Sequence, residues 1–489
     1  MRRSRVILST LAAGVALLIP AAASAAPEIQ TLPVPPLPTD LLSESFTGTP
    51  ATKQPISHPA IPAHPYLGTT GTNSMHNDAY ASDAYRVSGP LGRHLQVRSA
   101  SYGVSECATI GFDSRHRIVG LCGGLEGFTM RLIDPATLEQ IASLAMPARD
   151  LTSGANPFSD LCGGTYFFLD KHDVATVLTT GNKIWQVSVG AHSLTHTRTF
   201  SPSIPEGDCM IATMPDWKGR IFFATKGGRV GTVNASTGAS RIRTFPGQAI
   251  FNSMAADETG AVYVVTDHRL LTLVADRAGV PQVRWSAAYD RGSRQKPGQL
   301  SQGSGTTPTL VGKDLLAITD NADPRMNVLV YDRQTHRQIC KTPVFASGAS
   351  ATENSLVAAG RSFIVENNYG YDGVQSTVGG RSTTPGVARV VVEKGRCRVA
   401  WTSKVTAPTS VPKVSLGNGL LYVYSKPAST AVDDSWYFTA IDVRTGRTRW
   451  TQRTGNGIQW NNHYASICLG PDGAAYMPVL SGLVRFKDG

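Results

Sequence analysis

A phrase recurs along this chain about every fifty residues, and that period restricts the fold more than any other feature. Each copy carries a polar residue, a short apolar strand, a tight turn near Gly or Asp, a second apolar strand and a Thr-Gly-like hairpin. The clearest copy runs Leu420-Leu421-Tyr422-Val423-Tyr424, then Tyr437 to Gly446, then Arg447-Thr448-Arg449-Trp450. A repeat of this size built from short strands is the mark of a β-propeller, in which each repeat is one four-stranded blade.

Aligning the residue ahead of each first strand gives Glu106, Asp160, Asp208, Asn252, Thr306, Glu353, Val411 and His463. Eight units fit, so the predicted fold is an all-β, eight-bladed propeller, with seven blades the rival count. Alternation of apolar residues and turn glycines agree in these strands, as in Ile221 to Thr225 and Ala261 to Val265. The last repeat stops short after strands at 465–469, 474–479 and 482–486. An open ring would leave two bare strand edges. The orphan strand Leu95-Gln96-Val97-Arg98-Ser99 can supply the missing outer strand and close the ring three-plus-one.

The N-terminus has a different character. Arg2, Arg3 and Arg5 precede an apolar stretch from Val6 to Pro20 that is too short to span a bilayer comfortably, followed by Ala23-Ser24-Ala25. This pattern predicts a signal peptide over 1–25, cleaved after Ala25, and hence a secreted, extracellular chain with no later membrane span. Residues 26–72 form a Pro-rich segment: ten of the thirty prolines lie between Pro27 and Pro65. Such a composition favours extended chain, read here as a tether more than a surface strap. The propeller domain is placed at 73–489.

Formal net charge is +11, or +8 once the three leader arginines are removed. Lys and Arg are dispersed, with no run of five, which argues against a nucleic-acid partner. Seven cysteines in an exported chain imply disulfides and one leftover thiol. Cys340 and Cys397 occupy the same place in successive repeats and are the best-matched pair. Cys107, Cys122, Cys162 and Cys209 could supply one or two more bridges, with Cys468 the buried remainder.

The stretch Ala440-Ile441-Asp442-Val443-Arg444-Thr445-Gly446-Arg447-Thr448-Arg449-Trp450 resembles the repeat of quinoprotein alcohol dehydrogenase-like propellers, with weaker echoes at Leu132 to Thr137, Thr232 to Gly238 and Tyr331 to Thr335. Asp or Asn starts the hairpin turn and Gly takes its left-handed position, while the tryptophan can dock between blades. The resemblance implies pyrroloquinoline quinone only where the cofactor's residues are present. The adjacent cysteine pair typical of those dehydrogenases is missing, so the chain is similar to the family's cofactor-free members.

In a propeller the innermost strands surround a central channel, and their leading ends converge on its mouth. The aligned residues are therefore the candidate site. Glu353 and Asp160 are the candidate acid/base carboxylates and His463 assists. Glu106, Asp208, Asn252, Thr306, Tyr464 and Trp460 are the candidate substrate-binding groups. Clustered carboxylates raise one another's pKa unless a cation neutralises them, so the ring could instead hold Ca²⁺. Turn capping is the plain alternative for each position. The expected activity is that of a hydrolase or lyase on a small polar molecule or a cell-wall or environmental polysaccharide, carried out by a monomer. A non-catalytic extracellular binding or scaffold propeller is one alternative, and the quinone-dependent dehydrogenase that the resemblance implies is another. Asn73-Ser74-Met75-His76-Asn77-Asp78 could fold over the mouth, although an isolated His in a polar loop is expected to be solvated.

Overall fold

The computed structural model describes residues 33–124, 127–149, 160–163 and 165–489. The signal peptide expected over 1–25 lies outside them. Among the described residues eight sheets make up the unit Val34–Gly489, with only short 3₁₀ turns besides. Among the described residues no helix is long and apolar enough to cross a membrane.

Seven blades follow one another along the chain, from Ser105–Phe112 as the first blade's inner strand to Thr448–Asn456 as the seventh blade's outer strand. The eighth is composite. Cys468–Leu469, Ala475–Val479 and Gly482–Lys487 form its inner three strands, and Gln96–Ser101 pairs antiparallel with Gly482–Lys487 as the fourth. The ring thus closes three-plus-one. Inner strands are largely buried and outer strands are partly exposed, as in Met210–Pro215 against Ser240–Thr244. A single apolar cluster spans blades seven, eight and one, with Trp436, Trp450, Tyr422, Phe486 and Phe112 at its centre. Closure is therefore held by packing as well as by the ladder.

The hairpin phrase has one physical meaning in four blades. Asp442 Oδ1 accepts the N–H groups of Arg444 (2.9 Å) and Thr445 (3.1 Å), and Asp134, Asn234 and Asp332 each accept the N–H groups two and three residues on. Gly446 takes φ +72°, and a Cβ there would lie 2.6 Å from the Trp401 ring.

Two N-terminal stretches depart from expectation, the first from that of a tether. Leu41–Leu42 pairs with Gln96–Ser101, and Phe46–Gly48 pairs with Thr448–Asn456, so the Pro-rich segment is a strap on the outer edges of blades eight and seven. Proline cannot donate to a ladder, but an edge position needs only the alternate groups. The second departure is larger. Residues 72–85 do not fold over the mouth; they line the channel at the trailing ends of the inner strands. Carbonyls of Thr72, Asn73, Ala79, Tyr80, Ser82 and Asp83 accept N–H groups from Phe112, Leu169, Ala256, Leu310, Ala358 and Val414, at 2.7–3.0 Å. Those donors belong to blades one, two, four, five, six and seven. Ala84–Tyr85 then pairs parallel with Lys413–Ser415. Holding this path forces Asn77, Ala81 and Asp83 to positive φ (74°, 49° and 53°), where non-glycine residues are uncommon. The segment is a plug.

Cys340–Cys397 bridges the outer strands of blades five and six, with Cα atoms 6.0 Å apart. Cys107–Cys122 is a cross-strand bridge inside the first blade, and Cys162–Cys209 links the approaches to blades two and three. Cys468 is a buried free thiol.

Candidate functional site

With the plug below and the leading strand ends above, the channel mouth becomes a blind pocket of about 120 Å³. Its floor is Met75 and His76. Phe128, Phe251, Leu161, Leu300, Tyr166 and Tyr464 form apolar walls, and the polar groups on them include Glu106, Asp160, Arg149, Asn252, Glu353 and His463. An apolar cavity with a few placed polar groups is the usual form of a small-molecule site.

Each polar group is set by local structure. Glu106 lies within the inner strand Ser105–Phe112, in register with Gly123, so no side chain opposes it there. Its Oε1 is buried with no hydrogen-bond partner, and burial pushes the carboxyl well above its ordinary range. Glu353 Oε2 accepts the Leu300 N–H at 3.0 Å, while its own N–H is fixed by Asn368 Oδ1 at 2.8 Å. Burial raises the Glu353 pKa to about 8, with the Leu300 N–H pulling the other way. Near neutral pH it is therefore mostly a neutral acid with a proton to donate.

Asp160 Oδ1 accepts the Cys162 N–H at 2.9 Å, and its Oδ2 stands 3.8 Å from Arg149 Nη1. The Arg149 guanidinium lies 4.6 Å from the centre of the Phe128 ring. Burial lowers the Arg149 pKa and the Asp160 charge opposes that. Asn252 Nδ2 donates to the Ser304 carbonyl at 3.0 Å, which fixes its amide. The His463 N–H donates to Asn461 Oδ1 (2.7 Å), and its Nδ1 is 2.8 Å from the Tyr371 hydroxyl. Burial keeps that phenol protonated, so it donates to Nδ1. His463 and Tyr464 both have positive φ (30° and 69°), and the Tyr464 hydroxyl reaches the Gly298 carbonyl at 3.4 Å.

Three expected site residues are elsewhere. Asp208 is a turn cap: it pairs with Arg229 Nη1 (2.6 Å) and accepts from Thr225 Oγ1 and the Gly227 N–H. Thr306 is buried, bonded to Ser304 Oγ and accepting the Thr319 N–H. Trp460 is core, packed so closely that a Cβ at Gly455 would sit 2.2 Å from its indole. Among the described residues no group of three or more His, Cys, Asp or Glu side chains comes together that could hold a metal ion. Asp320, in the turn before Pro324, spends its carboxylate on Asn327 and on the Ala322 N–H.

The structure also adds groups that the repeat alignment could not reach. His76, expected to be solvated, is 4% exposed. Its Nδ1 is 3.2 Å from both oxygens of Asp83, and its Nε2 is 3.2 Å from Thr307 Oγ1 and 3.3 Å from Ser355 Oγ. Asp83 is ion-paired with Lys413, whose Nζ also donates to the Met75 carbonyl at 2.9 Å, and both charges are fully buried. Desolvation pulls the Lys413 pKa down against the pull of Asp83. Behind the wall, Asn354 and Asn368 donate to Glu366, whose carboxyl burial raises well above its ordinary range.

This fold and repeat define a class, the PQQ-like-repeat β-propellers. Within it, residues 170–452 match the family model described as outer membrane protein assembly factor BamB, and the chain belongs to that family. An uncharacterised protein of Archaeoglobus fulgidus is 27% identical over 321 residues, 58% of this chain and 62% of that protein, so the chain spans under two-thirds of the curated relative it matches. The crystal structure of BamB from Moraxella catarrhalis aligns with a TM-score of 0.50 and 11% identity over 80% of this chain and 97% of that one, a likeness of fold. The quinone for which the repeat is named does not fit these residues. No two cysteines are adjacent, so the cysteine pair typical of the quinone-binding dehydrogenases is missing.

Proposed function

We propose that this is an exported small-molecule enzyme, a hydrolase or lyase working in the blind pocket. Glu353 is the general acid, Asp160 and His463 assist it, and Glu106, Asn252 and Tyr464 orient the substrate. The observation that carries the reading is the placing of the Glu353 carboxyl, its pKa raised by burial, in an apolar pocket that also holds His463 hydrogen-bonded to Tyr371. Export is supported by the leader-like residues 1–25 and by three disulfides, which are compatible with an extracellular or periplasmic location. Burial of Trp460 removes one of the two aromatic groups, Trp460 and Tyr464, that a sugar polymer would stack on. A cavity of about 120 Å³ suits a compact molecule better than a chain.

A second reading, a non-catalytic envelope scaffold, is favoured by the family match to an assembly factor. A turnover screen on esters, lactones and pooled polysaccharides separates the two. Wild type should turn over a compact substrate, with a rate that falls above about pH 8 as Glu353 loses its proton. Glu353→Gln should lose about 100-fold or more, the usual worth of general acid catalysis. A wild type inert on the whole panel, or a variant with wild-type rate, would overturn the acid role.

A further inference from the structure

We propose that Ser355, His76 and Asp83 form a nucleophilic relay in the pocket floor, so that the enzyme cleaves compact carboxylic esters or lactones through an acyl-serine. The inference deepens the reading above and rests on it for the pocket as the place of reaction. Its own support is geometric. Ser355 Oγ is 3.3 Å from His76 Nε2, and His76 Nδ1 is 3.2 Å from both Asp83 oxygens. That is the nucleophile–base–orienter order by which such sites are recognised on unrelated folds, at the looser spacing usual without substrate. Ser355 and His76 both line the pocket, whereas Asp83 is fully buried behind them.

The tautomer follows from the partners. Asp83 faces the Lys413 ammonium and can only accept from His76, so Nδ1 carries the ring hydrogen and Nε2 offers its lone pair. Lys413 and the plug backbone hold Asp83 in its left-handed conformation, and Asp83 in turn fixes the ring. Asp83 is thus a positioning residue, while Ser355 and His76 are the reacting groups. Thr307 Oγ1 lies 3.2 Å from the same Nε2, but it is a β-branched, hindered alcohol, and Ser355 is the better nucleophile of the two. Two residues from Ser355 on the same pocket, Glu353 presents a proton that can be shared with the carbonyl oxygen.

The chemistry balances without a co-reactant other than water. Ser355 Oγ bonds to the acyl carbon as its proton passes to His76 Nε2 and the carbonyl electron pair moves onto oxygen. The tetrahedral intermediate reforms the carbonyl, the bond to the alcohol oxygen breaks, and that oxygen takes the proton from His76. Water then attacks the acyl-Ser355, giving one proton to His76, which returns it to Ser355 Oγ as the acid leaves.

The full-length protein should be treated with a fluorophosphonate, and adducts located by intact mass and peptide mapping. One adduct per chain at Ser355 is expected, with p-nitrophenyl acetate turnover that Ser355→Ala reduces at least 100-fold. A folded wild type that forms no adduct, or labels only Thr307, overturns the relay; this test stands even if the Ser355→Ala protein does not fold. The two readings fail separately. Glu353→Gln with wild-type turnover but normal Ser355 labelling sinks the acid role alone. Glu353-dependent turnover without Ser355 labelling sinks the relay alone.

Discussion

Replacing Lys413 by Met tests whether the channel plug is pinned by a buried charge pair. Lys413 and Asp83 are both fully buried, and the ammonium also holds the Met75 carbonyl. Removing only the cation strands a carboxylate in a dry interior, which costs about 3–5 kcal/mol. Asp83→Asn strands the ammonium at a similar cost. The double variant leaves a neutral pair, and it should recover most of that loss, so the coupling energy should reach at least about 2 kcal/mol. For a unit the size of Val34–Gly489, unfolding entropy is close to 1 kcal/mol per degree, so each single variant should melt only about 3–5 °C lower. Urea titration of all four proteins is therefore the more sensitive assay, with scanning calorimetry beside it. Additive single effects, with coupling under about 0.5 kcal/mol, would refute the argument that this pair anchors the plug.

Deleting residues 34–60 should lower the melting temperature and expose the edges of blades seven and eight, because Leu37 and Ala51 are buried and two short strands pair there; an unchanged melt would return the segment to tether status. Deleting residues 90–100 should abolish folding, since it removes most of the strand that closes the ring, and soluble, cooperatively melting protein would contradict closure. Opening the Cys340–Cys397 bridge by Cys340→Ser with Cys397→Ser should cost about 4 kcal/mol on the chain-entropy model for its 57-residue separation, and non-reducing peptide maps that find either thiol free in wild type would negate it. Glu353 has a folded pKa near 8, above its unfolded value, so its contribution is fully present below the unfolded pKa and is lost as pH rises through about 8. Glu353→Gln should accordingly flatten the stability–pH curve and be the more stable protein above pH 8; parallel curves would show that the carboxyl ionises freely.

Blade count, strand order and the three-plus-one closure were legible from the chain because they rest on local signals. Alternation places side chains on one face or the other of a strand, and Asp442 or Asn234 with a following Gly completes a hairpin within a few residues. The aligned leading residues carried the site part of the way: Glu106, Asp160, Asn252, Glu353 and His463 line one pocket. Asp208 and Thr306 share their register but turn to nearby partners, since Arg229 in one case and Ser304 in the other offers a closer bond than the cavity does. Trp460 was indistinguishable from a binding platform by sequence, because its burial depends on the glycine at 455, on a neighbouring strand. Only the tertiary structure could decide the course of residues 34–85. That stretch has no period of its own, and the carbonyls of residues 72–83 alone are satisfied by six different blades that exist as a ring only once the chain has closed. The His76, Asp83, Lys413 and Ser355 cluster is the product of that closure: four residues scattered over more than three hundred positions, brought within hydrogen-bonding reach because a propeller channel has one axis and the plug lies along it.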